Sequence, residues 1–134
     1  MSPGAGLEIE ITVAEGLEAP DPRAVRLAAE RALRAAAMTE GHVAIAFVGR
    51  SRIRALNHSH RGLDATTDVL SFPIDLAQAT TGPRELGDVV VCAELCEDPI
   101  AAVVHGVLHL TGHDHETDDG EMLALQRRVV AELR

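Results

Sequence analysis

The segment DPIAAVVHGVLHLTG, residues 98–112, contains one helix whose beginning and end are both marked in the sequence. Asp98 offers a capping carboxylate, and Pro99 suits the first helical position. Apolar side chains then recur at helical spacing, at Val103, Val104, Val107 and Leu108. Gly112 ends the helix, as a glycine just past the last turn commonly does.

Similar signals on either side of this helix predict the remaining elements. Strands are predicted at 7–13, 43–48, 67–72 and 86–92, the last two separated by a Gly/Pro/Thr-rich loop at 79–83. Further helices are predicted from Asp21-Pro22 to about Met38, after a cap at Ser51, and over 118–133. This order predicts an α/β (α+β) fold: a single domain, 1–134, whose small, mixed, mostly parallel sheet of about four strands packs with helices.

Composition excludes several classes of function. The 134 residues include no Trp or Tyr and only two Phe, Phe47 and Phe72, so a row of stacking aromatic side chains is excluded. No stretch approaches the roughly 20 apolar residues of a membrane span, and the N-terminus does not resemble a secretory signal. Two cysteines, Cys92 and Cys96, are too few for a disulfide framework. These features predict a cytoplasmic protein with no membrane partner.

Charge is distributed unevenly along the chain. The formal net charge is −9, yet residues 41–63 contain no acid. The same residues contain four arginines and three histidines: Arg50, Arg52, Arg54, Arg61, His42, His58 and His60. The sequence therefore predicts one cationic segment on an acidic body, suited at most to local contact with a polyanion.

Three histidines in and after the 98–112 helix have the spacing of a metal site. His105 and His109 are four residues apart on one helical face, and the turn at Gly112 lets His115 approach as a third ligand. Three neutral imidazoles suit one Zn²⁺ ion best, with another transition metal as the alternative, and they leave a fourth position for water, as in catalytic sites. Chance clustering and a purely structural zinc are the alternatives. His113 is a candidate fourth ligand, although its place in the turn favours another direction.

Gly106 occupies the position where metalloprotease helices carry the glutamate that acts as general base. Peptide hydrolysis by that route is therefore disfavoured. A glycine inside a helix costs about 1 kcal/mol relative to alanine, so a use for it is expected. Open space for a substrate beside the metal and close packing of helix on sheet are equally good explanations.

Three ordered blocks of sequence resemble the YbeY endoribonucleases, a family of ribosomal RNA maturation factors. The run HGVLHLTGHDH, residues 105–115, is similar to the family signature H-G-x-L-H-L-x-G-(aromatic or His)-D-H. Leu56-Asn57, Arg61 and the run TDVLSFP at 67–73 resemble a second block, and LGDVV at 86–90 resembles a third.

The resemblance implies a zinc-dependent, single-strand-specific endoribonuclease acting in ribosomal RNA maturation, including the 3′ end of small-subunit RNA, and in ribosome quality control. Single-stranded RNA, ribosomal RNA and ribosomal particles are the implied partners, with no DNA expected. It implies His105, His109 and His115 as ligands of one Zn²⁺ and Arg61 as the important basic residue near the metal. Only about a dozen residues separate the third block from His105, fewer than expected, which predicts a shortened helix start or a missing loop and helix.

The chemistry of phosphodiester cleavage agrees with this interpretation. Zinc can act as a Lewis acid on one phosphate oxygen, and an arginine fork can hold two others. Arg61 is the candidate for that fork; the alternative is a solvated arginine at a helix end. Asp114 is a candidate hydrogen-bond partner for a ligating imidazole, or a turn cap. No general base stands out, so a metal-activated water and a ribose 2′-hydroxyl both remain open.

Two other functions compete with the ribonuclease hypothesis. One is a non-catalytic ribosome-binding factor whose zinc only holds the fold. The other is a different zinc hydrolase, such as a peptidase or a deaminase. Gly106 disfavours the peptidase, and the absence of a His/Cys/Cys zinc set with its glutamate disfavours the deaminase.

Overall fold

The computed structural model describes residues 6–74 and 84–134, so the predicted loop at 79–83 lies outside the described residues. The strands are β1 (Leu7–Val13), β2 (Gly41–Phe47), β3 (Val69–Pro73) and β4 (Glu85–Val91). The helices are α1 (Pro22–Ala35), α2 (Arg50–Arg61), α3 (Pro99–Leu110) and α4 (Glu121–Glu132). One turn of 3-10 helix, Ala93–Leu95, lies between β4 and α3.

The four strands of the described residues form one mixed sheet in the order β1-β2-β4-β3. β1 pairs with β2, and β2 with β4, in parallel. β3 pairs antiparallel with β4 and forms the edge of the sheet. The predicted α/β (α+β) fold with a small, mostly parallel sheet is confirmed. None of the helices within the described residues has the length and apolar character needed to cross a membrane.

The sheet has two unequal faces. Alternate residues of β2 (Val43, Ile45 and Phe47) point into the main core beneath α1, α3 and α4. The opposite face carries a smaller apolar cluster, formed by Ile53 of α2 with Leu70, Val90 and Cys92. Because α2 stands over only part of this second face, the structure leaves a cleft beside it.

The boundaries of α1 and α2 differ from the predictions. α2 begins at Arg50 with Gly49 as its N-cap, so the predicted cap at Ser51 is wrong. The amide of Ile53 donates to the carbonyl of Gly49 over 3.1 Å, which closes the first turn before Ser51 can cap it. α1 ends at Ala35 rather than near Met38, because Ala37 takes a left-handed conformation with φ of 63°.

Helix α3 begins and ends with the expected chemistry, whereas the start of α4 differs from its prediction. The Asp98 carboxylate accepts from the amides of Ile100 and Ala101, both over 3.1 Å, at the start of α3. Gly112 follows α3 with φ of 97°, as predicted for a terminating glycine. α4 begins at Glu121, later than predicted, because Asp118 first holds the preceding turn through a 2.8 Å hydrogen bond from the Gly120 amide.

Candidate metal centre

Helix α3 places His105 and His109 side by side. It packs against α1, α4, β3 and β4, which buries its apolar side chains and holds its orientation. Residues four apart lie one above the other on a helix. Accordingly the two half-buried rings meet edge to face, with their centroids 4.8 Å apart.

The turn after α3 brings the third histidine to the same place. The amide of His113 bonds the carbonyl of Leu108 over 3.3 Å, and Gly112 supplies the positive φ that reverses the chain. The His115 ring then lies 5.0 Å from that of His105 and 5.2 Å from that of His109, centroid to centroid. One nitrogen of each histidine lies within 4.8 Å of the others.

These distances and donors fit one small cation. Zinc–imidazole bonds are about 2.0–2.1 Å long, so ligand nitrogens in a tetrahedral site are about 3–4 Å apart. The observed separations need only small side-chain adjustments to meet that requirement. Within residues 6–74 and 84–134 this is the one group of three or more His, Cys, Asp or Glu side chains close enough to bind a metal, and His113 does not belong to it.

The protonation of His109 also suits metal binding. Burial lowers the pKa of His109, and the nearby His105 and His115 lower it further. A lowered pKa keeps this imidazole neutral around pH 7, and only a neutral imidazole can bind a metal.

A hydrogen bond from α4 orients His105. Its Nδ1 lies 2.7 Å from Oε1 of Gln126. Because this oxygen only accepts, Nδ1 carries the proton and Nε2 is left to bind a metal. Sequence reasoning missed Gln126, which is 21 residues from its partner in a different helix. No spacing rule connects the two positions.

The role considered for Asp114 as a partner of a ligating imidazole is not seen. Its carboxylate accepts from the amide of Glu116 over 2.9 Å, and its carbonyl accepts from the amide of Thr117 over 3.2 Å. Asp114 thus caps the turn that presents His115. The buried Nδ1 of His115 has no hydrogen-bond partner among the described residues.

Gly106 is explained by close packing. A Cβ built there lies 2.5 Å from Cγ1 of Val89, 3.1 Å from Cγ2 of Val69 and 3.2 Å from Oγ of Ser71. The Ser71 hydroxyl also donates to the Gly106 carbonyl over 2.9 Å. The idea of open space for a substrate at this position is therefore wrong: α3 lies directly on β3 and β4.

The three histidines open into a cleft of about 1210 Å³. Strands β2, β3 and β4 line its floor, with Ala44, Ala46 and Val90 on the face that α2 covers only in part. α2 supplies one wall, and the turn that follows α3 supplies the other. The cleft therefore passes around the β3 edge, from the open face of the sheet to the histidine cluster.

The arginines of α2 divide into two pairs. Arg50 bonds Glu94 over 3.3 Å, and Arg54 bonds Asp64 over 2.7 Å. Arg52 and Arg61 both line the cleft, and neither makes an ion pair within the described part of the chain. The structure thus places Arg61, the predicted phosphate-binding residue, in the same cleft as the three histidines.

Comparisons with known proteins identify the family to which this chain is similar. A sequence model of the family described as Endoribonuclease YbeY matches residues 17–134. An Endoribonuclease YbeY of Pseudomonas putida strain W619 is 37% identical over 141 aligned residues, covering 95% of this chain and 89% of that protein. One of Azorhizobium caulinodans is 39% identical over 147 residues, covering 95% of this chain and 92% of that protein. Both alignments are longer than the 134-residue chain, so these relatives have residues that it lacks.

A solved structure shares the fold. The solution structure of TM1509 from Thermotoga maritima has a TM-score of 0.56 and 27% sequence identity. The match covers 93% of this chain and 88% of that protein. With its family match over residues 17–134 and relatives of more than 30% identity along most of its length, this chain belongs to the endoribonuclease YbeY family.

Proposed function

We propose that this chain is a zinc-dependent, single-strand-specific endoribonuclease that acts in ribosomal RNA maturation, including the 3′ end of small-subunit RNA, and in ribosome quality control. The observation that carries the proposal is that one cleft contains both the three-histidine cluster and the side chain of Arg61. The proposal includes cytoplasmic location, contact with ribosomal particles, no action on DNA, and one endoribonuclease domain spanning 1–134.

In this proposal His105, His109 and His115 hold one Zn²⁺ ion. The bound ion supplies Lewis acidity toward a phosphate oxygen and lowers the pKa of water. Gln126 keeps the proton of His105 on Nδ1, so Nε2 would be the atom that binds the ion. Capping by Asp114 fixes the turn from which His115 approaches.

Arg61 holds the phosphate whose ester bond is cleaved. Its guanidinium is exposed in the cleft, so its five N–H donors are available to phosphate oxygens. A planar fork binds two oxygens at once, and the added negative charge of the transition state strengthens that contact.

In the same proposal, Arg52 binds a neighbouring phosphate of the RNA, and Arg54 of the same helix provides a matched control. Replacing Arg52 by Gln should weaken binding of single-stranded RNA and lower the slope of log K against log salt by about 0.7, the value for one lost phosphate contact. Arg54→Gln removes the same charge from the same helix, but Arg54 is held by Asp64. Equal slopes for the two variants would contradict the role of Arg52.

Cleavage of a labelled single-stranded RNA tests the proposal as a whole. Zinc-loaded wild-type protein should cut it internally and leave the matching duplex intact, whereas His109→Ala should lose both zinc and cleavage. Arg61→Ala should retain zinc and lose at least about 100-fold in kcat, as expected for removal of one charge-stabilising group. Intact RNA with the zinc-loaded wild type would instead favour a non-catalytic ribosome-binding factor.

A further inference from the structure

Two aromatic rings from different elements meet in the cleft. His60 lies in the last turn of α2, and Phe72 lies on the edge strand β3. Their ring centroids are 4.7 Å apart with the planes inclined at 56°, a separation typical of rings in direct contact. Both side chains line the cleft that contains the histidine cluster.

Phe72 differs in its surroundings from the other phenylalanine. Phe47 is 1% exposed and belongs to the main core, whereas Phe72 is partly exposed at the margin of the smaller apolar cluster. The chain contains no Trp or Tyr. Phe72 is therefore the one side chain of these three aromatic types that presents a ring to the cleft.

Cationic side chains flank this ring pair along α2. Arg61 follows His60 directly, and Arg52 lies eight residues before His60, a little over two helical turns back. Leu56 lies between them, and all four side chains line the cleft. An aromatic surface between cations matches a polynucleotide strand, in which bases alternate with phosphates.

We infer that Phe72, with His60 packed against it, is the stacking surface for one unpaired base of the RNA. This inference rests on the proposed function and adds to it the residues that select single strands. Every base has a flat face that can stack on an aromatic ring, so the contact does not depend on sequence. A base inside a duplex is already covered by its neighbours and cannot reach the ring, so the contact disfavours duplex RNA.

An abasic scan, combined with two variants, tests the inference. Single abasic sites are placed in turn along a short single-stranded RNA that the zinc-loaded protein cleaves. An abasic site at one of these positions should raise KM by about tenfold, the effect of losing a stacked base, while kcat changes by less than about twofold. Phe72→Leu keeps an apolar side chain on the cluster but loses the flat ring, and it should raise KM similarly on intact RNA.

If the effects of the abasic site and of Phe72→Leu are not additive, the missing base is the one that stacks on Phe72. The abasic site that costs wild-type protein tenfold should cost Phe72→Leu less than about twofold, because the partner is already missing. His60→Ala, an exposed change that does not endanger folding, should show the same pattern with a smaller KM effect. The control is His58→Ala, which removes an exposed histidine of the same helix that does not line the cleft.

The possible failures are distinguishable. Unchanged KM for both Phe72→Leu and His60→Ala, or an abasic penalty that persists in full in Phe72→Leu, overturns the inference and leaves the proposed function intact. A zinc-loaded wild type that cleaves no RNA overturns the proposed function and, with it, the inference.

Discussion

Replacing Gly106 by alanine tests the packing of α3 on the sheet. Helix propensity alone favours alanine over glycine by about 1 kcal/mol. Against this, the new Cβ would lie 2.5 Å from Cγ1 of Val89, a fully buried and stiff side chain. Overpacking of this kind costs about 1–3 kcal/mol, and displacing the carbonyl that accepts from Ser71 costs about 1 kcal/mol more.

The gain in helix propensity and the costs of overpacking and of the displaced hydrogen bond together predict that Gly106→Ala lowers the free energy of unfolding by about 1–3 kcal/mol. This corresponds to a fall in Tm of about 3–5 °C per kcal/mol for a domain of this size. Urea denaturation at pH 7 on the metal-free protein measures it without a contribution from bound zinc. Ser59→Ala, an exposed helical change on α2, should stay within about 0.5 kcal/mol of wild type.

A double-mutant cycle shows whether the clash is with Val89. Val89→Ala alone should cost about 2 kcal/mol through lost contacts and a cavity. If the Cβ at position 106 occupies the space that Val89 vacates, the double variant should be at least about 1 kcal/mol more stable than the sum of single effects predicts. A Gly106→Ala protein that is more stable than wild type would refute the packing explanation.

Three further predictions concern other parts of the molecule. Gln126→Leu should weaken zinc affinity by about 10–100-fold while leaving one ion per chain, measured by competition with a chelator; unchanged affinity would show that His105 needs no such partner. The hydrogen bond that His42 donates to Glu85 raises the pKa of His42 above 6.5, so the stability that His42 adds is fully present below pH 6.5 and is lost as pH rises through the folded pKa. Urea denaturation should therefore show a His42→Gln deficit at pH 5.5 that shrinks by pH 8, and a pH-independent deficit would contradict the assignment. Burial raises the pKa of Cys96 to about 11, so a disulfide reagent at pH 7.5 should modify it far more slowly in folded than in urea-unfolded protein, and equal rates would contradict its burial.

Local signals in the sequence predicted much of the fold. The Asp98-Pro99 start and the Gly112 end of α3 both involve neighbours within a few residues, and both are present in the structure. The start of α2 was misplaced because Ser51 has a favourable capping side chain, whereas the actual cap, Gly49, contributes only its backbone. Preference for a cap residue does not decide which turn of the chain closes first.

In the candidate site, too, only the features that depend on nearby residues of the sequence could be predicted. Spacing within one helix and one turn predicted that His105, His109 and His115 would come together. The partner of His105 could not be predicted, because Gln126 reaches it only through the packing of α4 on α3. The reason for a glycine at position 106 could not be predicted either, because Val89, whose side chain a Cβ there would meet, belongs to a different element, strand β4.

Titration of metal-stripped protein with Zn²⁺, followed by cleavage of single-stranded RNA, tests whether the three-histidine site holds the ion on which cleavage depends. We expect no cleavage without metal, a rise in cleavage that saturates at one zinc per chain, and neither zinc binding nor cleavage in His109→Ala. Cleavage that survives removal of the metal, or that proceeds equally well in His109→Ala, would contradict it.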